Sequence, residues 1–283
     1  MHYVCSDIHG QYSMYLELLE KIDFSKEDHM YIVGDVIDRG PSSIPLLRDI
    51  IARPNMTLLC GNHEHMMLRA MKEGDMDDFA DWMDNGGERT LKEFEQLSGN
   101  EQRSILQWLS ERPLVIPNIT VGEKTYYLAH ASHTLYPEQE TLRYCDAGRQ
   151  NIEQVVWNRD YRKPDAKRLG YRFRSLYEMY RSTTLIIGHT PVVYCSYGIV
   201  TKEGFLRISR CRKGHLINLD CGAQGLCLLA VSASKTGQNS ILMTHRCCIR
   251  SRERDKKTKE HQPATDISLP RSRPAPSRSR CSS

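Results

Sequence analysis

Five short segments of this 283-residue chain carry side chains that can bind a metal ion, and each segment follows an apolar run. They are Asp7-Ile8-His9-Gly10, Gly34-Asp35-Val36-Ile37-Asp38-Arg39-Gly40, Gly61-Asn62-His63-Glu64, Ala129-His130-Ala131 and Gly188-His189-Thr190. Mixed carboxylate, amide and imidazole ligation suits Mn, Fe or Zn at a reactive site better than a structural zinc. Each segment alone is usually a turn or a buried polar residue. All five together, in this order, indicate one shared site.

The elements that must position these segments can be predicted from the apolar pattern. Strand-length runs begin at Val4, Met30, Met56, Tyr126, Leu185, Leu216 and Leu226. Helical spacing appears between them, as in Tyr15, Leu18, Leu19 and Ile22 and in Ile44, Leu47 and Ile51. Strands that alternate with helices predict an α/β fold, with helices packed outside the sheets. Because ligands often collect at the carboxyl ends of such strands, we expect the five segments to converge.

The chain divides into a globular part and a basic tail. Residues 1–244 are predicted to form one unit, with a helical insertion over 63–111 between the third and fourth strands and a surface loop at 160–172. Residues 245–283 are rich in Arg, Lys, Ser and Pro, so we expect a disordered tail there. This tail holds 11 Lys and Arg against 4 Asp and Glu, whereas the whole chain has a net charge of +4. The body is therefore mildly acidic.

Composition argues against several classes of protein. The apolar runs are too short to span a bilayer, so no membrane partner is expected. A strand and a set of metal ligands begin by Asp7, which leaves no room for a cleavable leader and makes the cytoplasm the expected location. The ten cysteines include no Cys-x-x-Cys pair, which argues against a structural zinc knuckle.

The same motifs resemble the phosphoprotein phosphatase family of metallophosphoesterases, in its compact bacterial and phage-lambda form. The resemblance covers about residues 1–232, and its most specific parts are Gly-Asp-x-x-Asp-Arg-Gly at 34–40 and Gly-Asn-His-Glu at 61–64. Residues 82–87 and 220–223 are similar to further family elements, with Cys221 in place of a threonine. The resemblance implies a calcineurin-like metallophosphoesterase β-sandwich flanked by helices.

The resemblance also implies a centre of two divalent metal ions, with Mn expected first and Fe, Zn or Ni as alternatives. The first ion would be held by Asp7, His9 and Asp35, and the second by Asp35, Asn62, His130 and His189. A water or hydroxide bridging the ions would attack phosphorus in line, because two cations lower its pKa and clamp the phosphate oxygens.

Four further residues receive roles from the resemblance. His63 would act as general acid and protonate the leaving seryl or threonyl oxygen, with Asp38 orienting its ring. Arg39 would grip the phosphoryl oxygens, since a guanidinium fork matches them. Arg159 is the best match to the family's second arginine, and Arg162, Arg168 and Arg172 stay open as alternatives.

Three functions are compatible with these observations. The preferred one is a serine/threonine protein phosphatase acting on phosphorylated proteins or peptides. The second is a symmetrical dinucleoside polyphosphate hydrolase, a group that usually lacks the carboxylate of the Asp-Arg-Gly element, whereas Asp38 is present here. The third is nucleic-acid or anionic-surface binding through residues 246–280, for which a solvated and dispensable tail is the simpler interpretation.

Overall fold

The structure, a computed structural model, describes residues 1–74, 76–135, 140–159, 183–195, 209–211, 216–222, 225–226, 228–231 and 249–250. The elements in the first part of the chain are β1 (His2–Cys5), α1 (Tyr12–Lys21), β2 (His29–Ile32), α2 (Ser43–Ala52), β3 (Met56–Leu58), α3 (Asn62–Leu68), α4 (Met76–Asp84), α5 (Glu88–Glu95) and α6 (Gly99–Ser110). They are followed by β4 (Pro113–Val121), β5 (Lys124–Ala129), β6 (Leu142–Arg143), α7 (Arg149–Trp157), β7 (Thr183–Ile187), β8 (Ser209–Cys211), β9 (Leu216–Asn218), β10 (Gly225–Leu226), β11 (Leu228–Val231) and β12 (Ile249–Arg250).

Two sheets each contain three neighbouring parallel strands. Among the described strands, one sheet has the order β11-β1-β2-β3, in which β1, β2 and β3 run parallel. The other has the order β6-β4-β5-β7-β9-β8, in which β5, β7 and β9 run parallel. The carboxyl ends of parallel strands lie at one edge of a sheet, so each sheet presents one edge whose loops can carry ligands.

The sheets pack face to face, and helices cover their outer faces. The core between the sheets contains Val4, Val33, Leu59, Tyr126, Leu128, Ile186, Ile217 and Leu219. Alternate residues of the same strands point outward: Tyr3 and Cys5 of β1 pack in a cluster with α1 and α2, and Tyr127 and Ala129 of β5 pack in a cluster with α7. The predicted α/β sandwich flanked by helices is therefore confirmed.

The helical insertion also lies where it was predicted, since α3 to α6 separate β3 from β4. The apolar pattern did not reveal β4 itself, because Pro117 and Asn118 interrupt its run of apolar residues. These residues lie at a bulge, where the register with β5 shifts between Ile116 and Ile119. The sequence placed Ile51 on the apolar face of α2, but its side chain is 37% exposed. The neighbouring Ile50 is the buried residue at this point of the helix.

Two predicted segments lie outside the described residues. They are the loop at 160–172 and the tail at 245–283, apart from Ile249–Arg250. These two residues form β12, which pairs antiparallel with β10. The boundary near residue 244 stays a prediction. Among the described helices, none combines the length and the apolar character that a membrane crossing requires.

Candidate metal centre

The carboxyl ends of the two parallel sets meet at one place. Asp7 and Asp35 follow β1 and β2, and Asn62 begins α3 just after β3. His130 and His189 follow β5 and β7 of the other sheet. All five side chains are buried. A hydrogen bond joins the two sheets here, because the backbone N–H of His189 donates to the Asp7 carboxylate at 3.1 Å.

One group of possible ligands comprises Asp35, Asn62, His130 and His189. The Nδ1 of His130 donates to the Val33 carbonyl oxygen at 2.7 Å, which leaves its Nε2 with a lone pair. That Nε2 lies 2.9 Å from Asn62 Oδ1 and 3.4 Å from Asp35 Oδ1. The Nδ1 of His189 also lies 2.9 Å from Asn62 Oδ1. Burial lowers the pKa of His130 to about 3 and that of His189 to about 2, so both rings are neutral and able to bind a metal ion.

A second group of metal-competent atoms comprises those of His9, Asp35 and His63, which lie within 4.8 Å of one another. Of these, His9 and Asp35 are the predicted ligands, and His63 keeps the acid role that the resemblance implies. The Nδ1 of His9 donates to the Ile37 carbonyl oxygen at 3.1 Å, and its Nε2 lies 3.7 Å from Asp35 Oδ2. Asp35 thus lies between both groups, as a shared ligand must. Asp7 lies nearby, where its carboxylate accepts hydrogen bonds from the Ser6 hydroxyl and the His189 N–H. The assignment of all these side chains to two metal ions stays a prediction.

These residues fit a pair of divalent cations. Burial raises the pKa of Asp7 and of Asp35 well above the usual range, and neighbouring carboxylates add to the effect. Burial also raises the pKa of Asp220, which follows β9, to about 6. Buried carboxylates with like charge need a compensating cation nearby. A cation would also separate His130 Nε2 from Asn62 Oδ1. These two atoms face each other with lone pairs, and neither carries a hydrogen to donate.

An unusually large number of residues in the site have a left-handed backbone conformation, with positive φ. Of the eight described residues other than glycine with positive φ, six belong to the site, namely Asp7, His9, Asp35, Asp38, Arg39 and His189. Each such residue costs on the order of 1–3 kcal/mol, and strain of this kind concentrates at functional sites. Gly34 has a φ of 92°, and a Cβ there would lie 2.7 Å from His130 Nδ1. This position therefore requires glycine.

Beside the ligands lies a buried aspartate–histidine pair. His63 Nδ1 lies 2.7 Å from Asp38 Oδ2, and the Trp82 indole donates to the same oxygen at 2.9 Å. The Asp38 N–H donates to the hydroxyls of Ser43 and Thr90. His63 Nε2 is buried and has no hydrogen-bond partner among the described residues. The ring is therefore fixed through one nitrogen, and the other faces the predicted metal ligands, 3.8 Å from Asp35 Oδ2.

Burial lowers the pKa of His63 well below its usual range, and the nearby Arg39 guanidinium lowers it further. Burial raises the pKa of Asp38 to about 7, although hydrogen bonds from Thr90 and Trp82 oppose the change. A lowered pKa makes the protonated imidazole a stronger acid. Near neutral pH the ring alone is therefore mostly neutral, and a proton on Nε2 requires the imidazolium form, which an Asp38 carboxylate on the opposite nitrogen would stabilise.

The two predicted phosphate-binding arginines lie near this pair and near the ligands. Arg39 is exposed, its Nη1 lies 2.8 Å from His9 Nε2, and its backbone N–H donates to the Gly86 carbonyl oxygen at 3.1 Å. Arg159 is also exposed, and its positive charge contributes to the lowered pKa of His130. The three alternatives to Arg159, at positions 162, 168 and 172, lie outside the described residues.

Glu64 was not singled out from the sequence, yet its carboxylate joins the two loops that supply Asp35 and Asn62. Its Oε2 accepts from the N–H groups of Asp35 at 2.8 Å and Gly61 at 2.9 Å. Its Oε1 accepts from the N–H groups of Val36 at 2.9 Å and Ile37 at 3.4 Å. Glu64 is completely buried and acts as a positioning residue for the ligands.

Replacing Glu64 by glutamine should weaken both the fold and metal binding. The new NH₂ group would face two backbone N–H donors, and each buried donor without an acceptor costs about 1–3 kcal/mol. We expect a free energy of unfolding lower by about 2–4 kcal/mol and a Mn affinity lower by about 10–100-fold. Denaturant unfolding and Mn titration measure these quantities. Glu95→Gln, at an exposed position of α5, is the matched control, and an unchanged Mn affinity in Glu64→Gln would contradict the positioning role.

Asp220 and Trp82 are two further members of the site that received no role from the sequence. Both lie in segments that were compared with family elements, so a signal for them was present. Their contacts were not predictable, because Trp82 reaches Asp38 across 44 positions of the chain. The charge of Asp220 raises the pKa of Asp7, and this effect depends on the pairing of β9 with β7, which brings Asp220 close to the site.

Comparison with known proteins identifies the family. Residues 3–207 match the family model described as calcineurin-like phosphoesterase. The chain therefore belongs to the calcineurin-like phosphoesterase family, and it is a hydrolase that acts on phosphate esters. This confirms the predicted enzyme class and the resemblance on which it was based.

Relatives with different names share this family. The chain is 32% identical to serine/threonine-protein phosphatase 2 of Salmonella typhimurium over 194 residues, which is 68% of this chain and 80% of the relative. It is 27% identical to the symmetrical bis(5'-nucleosyl)-tetraphosphatase of Salmonella paratyphi C over 161 residues. That match covers 56% of this chain and about half, 51%, of the relative. Among solved structures, the cold-active protein-tyrosine phosphatase of a Shewanella species matches with a TM-score of 0.48 and 18% identity, over 85% of this chain and 80% of that one.

Proposed function

We propose that this chain is a serine/threonine protein phosphatase that depends on two divalent metal ions, with Mn as the first choice. Its substrates would be phosphorylated proteins or peptides, and the cytoplasm is its expected location. The observation that carries the proposal is the buried Asp38–His63 pair, whose free nitrogen lies next to the metal ligands and Arg39. The similarity to a serine/threonine phosphatase over 80% of its length supports the same conclusion.

The Asp38–His63 pair supports an alkyl phosphate ester as the substrate. The alkoxide of serine or threonine is a poor leaving group, so it requires a proton as the P–O bond breaks. His63 Nε2 is the atom placed to supply that proton, while Asp38 holds the opposite nitrogen. A nucleotide leaving group is stable as an anion and has much less need of a proton donor.

The remaining residues would bind and orient the phosphate. Divalent ions held by the predicted ligands of both groups would lower the pKa of a water molecule and neutralise charge on the phosphoryl oxygens. The Arg39 guanidinium lies beside His9, where it can bind a phosphoryl oxygen, and the turn at Gly86 holds its backbone. We assign Arg159 as the second arginine because its charge acts on His130 and His189.

A symmetrical dinucleoside tetraphosphatase is the second candidate. The relative of that name, 27% identical over 161 residues, supports it, and the same metal centre would serve both reactions. The two candidate reactions differ in how much they depend on His63 as a proton donor, because only hydrolysis of the alkyl ester depends on it strongly.

A panel of substrates and metals tests the proposal. The purified full chain is assayed on a phosphoserine peptide, a phosphotyrosine peptide, diadenosine tetraphosphate and a phosphodiester, each with and without added Mn. We expect Mn-dependent hydrolysis with the highest kcat/KM on the phosphoserine peptide. The highest value on diadenosine tetraphosphate would contradict the proposal and favour the second candidate.

A further inference from the structure

An open groove of about 640 Å³ runs along α7 next to the metal centre, and we name it the α7 groove. Its wall consists of Leu135 and the exposed side of α7 from Arg149 to Asn158. Trp157 forms the end nearest the site, where its ring contacts the His189 ring edge-on with 6.0 Å between centroids. The opposite side of α7 packs in a cluster with β4 and β5. A firmly anchored helix therefore borders both the groove and a metal ligand.

A row of carboxamides lines this groove. Gln150 and Gln154 are spaced four residues apart, so they share one side of α7 about 6 Å from each other along its axis. Asn158 directly follows the last residue of the helix. Asn158 Nδ2 donates to Gln154 Oε1 at 3.1 Å, and Gln154 Nε2 donates to the Ser132 hydroxyl at 3.1 Å. Ser132 is buried and lies two positions after His130. Gln154 and Asn158 are thus held in place beside the loop that carries His130, and Gln150 lies exposed at the other end of the row.

The chemistry of the row matches a polypeptide backbone. A carboxamide offers both donors and acceptors, as a peptide group does. An extended peptide places equivalent backbone groups about 6.6–6.8 Å apart on one side, close to the spacing of the row. Among the described residues that line the groove, the charges balance, because Arg149 and Glu153 form an ion pair at 3.9 Å. A polyphosphate chain would instead require an excess of positive charge along its path.

We propose that the α7 groove binds the backbone of the polypeptide that flanks the phosphorylated residue. This inference rests on the proposed function, which it deepens by making a peptide the substrate and α7 the element that recognises it. Gln150 and Gln154 would hydrogen-bond the peptide in an extended form, without reading its side chains. The phosphorylated residue itself would lie at the Trp157 end.

The test compares substrates of different length in a double variant, Gln150→Ala with Gln154→Ala. Its matched control is Gln107→Ala, which removes the same group from an exposed position of α6. The substrates are a long phosphoserine peptide, a short one, diadenosine tetraphosphate and p-nitrophenyl phosphate, the last of which is too small to extend into the groove. Losing about two hydrogen bonds should lower kcat/KM for the long peptide by about tenfold, through KM. The value for p-nitrophenyl phosphate should stay within about twofold.

Other outcomes would overturn the inference in distinct ways. An equal loss on p-nitrophenyl phosphate would mean that the substitutions disturb the metal centre. An unchanged value for the long peptide would remove the groove from recognition, and a loss on diadenosine tetraphosphate alone would assign it to a nucleotide. If the unmodified chain hydrolysed neither peptide, the proposed function itself would fail. Should the double variant not fold, Gln150→Ala alone, at an exposed residue, tests the same contact with a smaller expected loss.

Discussion

Replacing His63 by asparagine should lower turnover of alkyl phosphates by about 10²–10⁴-fold, the usual contribution of a general acid. A much smaller loss is expected on p-nitrophenyl phosphate, because nitrophenolate leaves readily without a proton. The structure supports this difference through the orientation of the ring, since Asp38 binds Nδ1 at 2.7 Å and leaves Nε2 directed at the site. Steady-state assays on phosphoserine and on p-nitrophenyl phosphate measure the two losses.

The control for this variant is His29→Asn, which changes a half-buried histidine on β2 that hydrogen-bonds Thr57. It should leave both activities nearly unchanged. Thermal unfolding of the two variants shows whether the fold is preserved. Equal losses on both substrates in His63→Asn would reject the acid role and leave His63 as a residue that supports the neighbouring ligands.

Replacing Asp35 by asparagine should remove metal binding and hydrolysis together. Its two oxygens lie 3.4 Å from His130 Nε2 and 3.7 Å from His9 Nε2, so the carboxylate faces both groups of ligands. Changing a partner of a metal ligand already costs about 10–100-fold in affinity or activity, so loss of a shared charged ligand should exceed about 100-fold. Elemental analysis should find less bound Mn, and turnover should fall on every phosphate ester, whatever its leaving group.

Asp23→Asn is the control, because Asp23 also has a left-handed backbone, with a φ of 50° against 57° at Asp35. Asparagine tolerates this conformation, so neither substitution should strain the chain. Full metal content and activity in Asp35→Asn would contradict the shared ligand. Hydrolysis by the unmodified chain that survived exhaustive chelation would contradict the metal centre as a whole.

The convergence of the predicted ligands could be expected from the sequence because they lie next to strong local signals. Asp7, Asp35 and His130 each follow a run of buried apolar residues, and such runs predict strands without any knowledge of their partners. Parallel strands then bring their carboxyl ends together. The helical insertion could also be predicted from local patterns, since glycines separate its stretches of helical spacing.

The exceptions share a physical cause. β4 was not predicted because Pro117 and Asn118 interrupt its pattern, and only pairing with β5 keeps the strand continuous across the bulge. The role of Glu64 depends on four N–H groups from two loops, and that of Trp82 depends on a hydrogen bond to Asp38. These contacts join segments that are far apart in the chain.

By itself, then, the sequence predicted the classes of element from local patterns and the candidate ligand types from side-chain chemistry, and its resemblance to a known family predicted the hydrolysis of phosphate esters. The tertiary structure alone decided which groups face one another: the carboxylate of Glu64 against the Asp35 loop, the indole of Trp82 against Asp38, and the ring of Trp157 against His189. The physical reason is that strand order and the packing of two sheets set the distances between remote residues, and no local pattern encodes those distances.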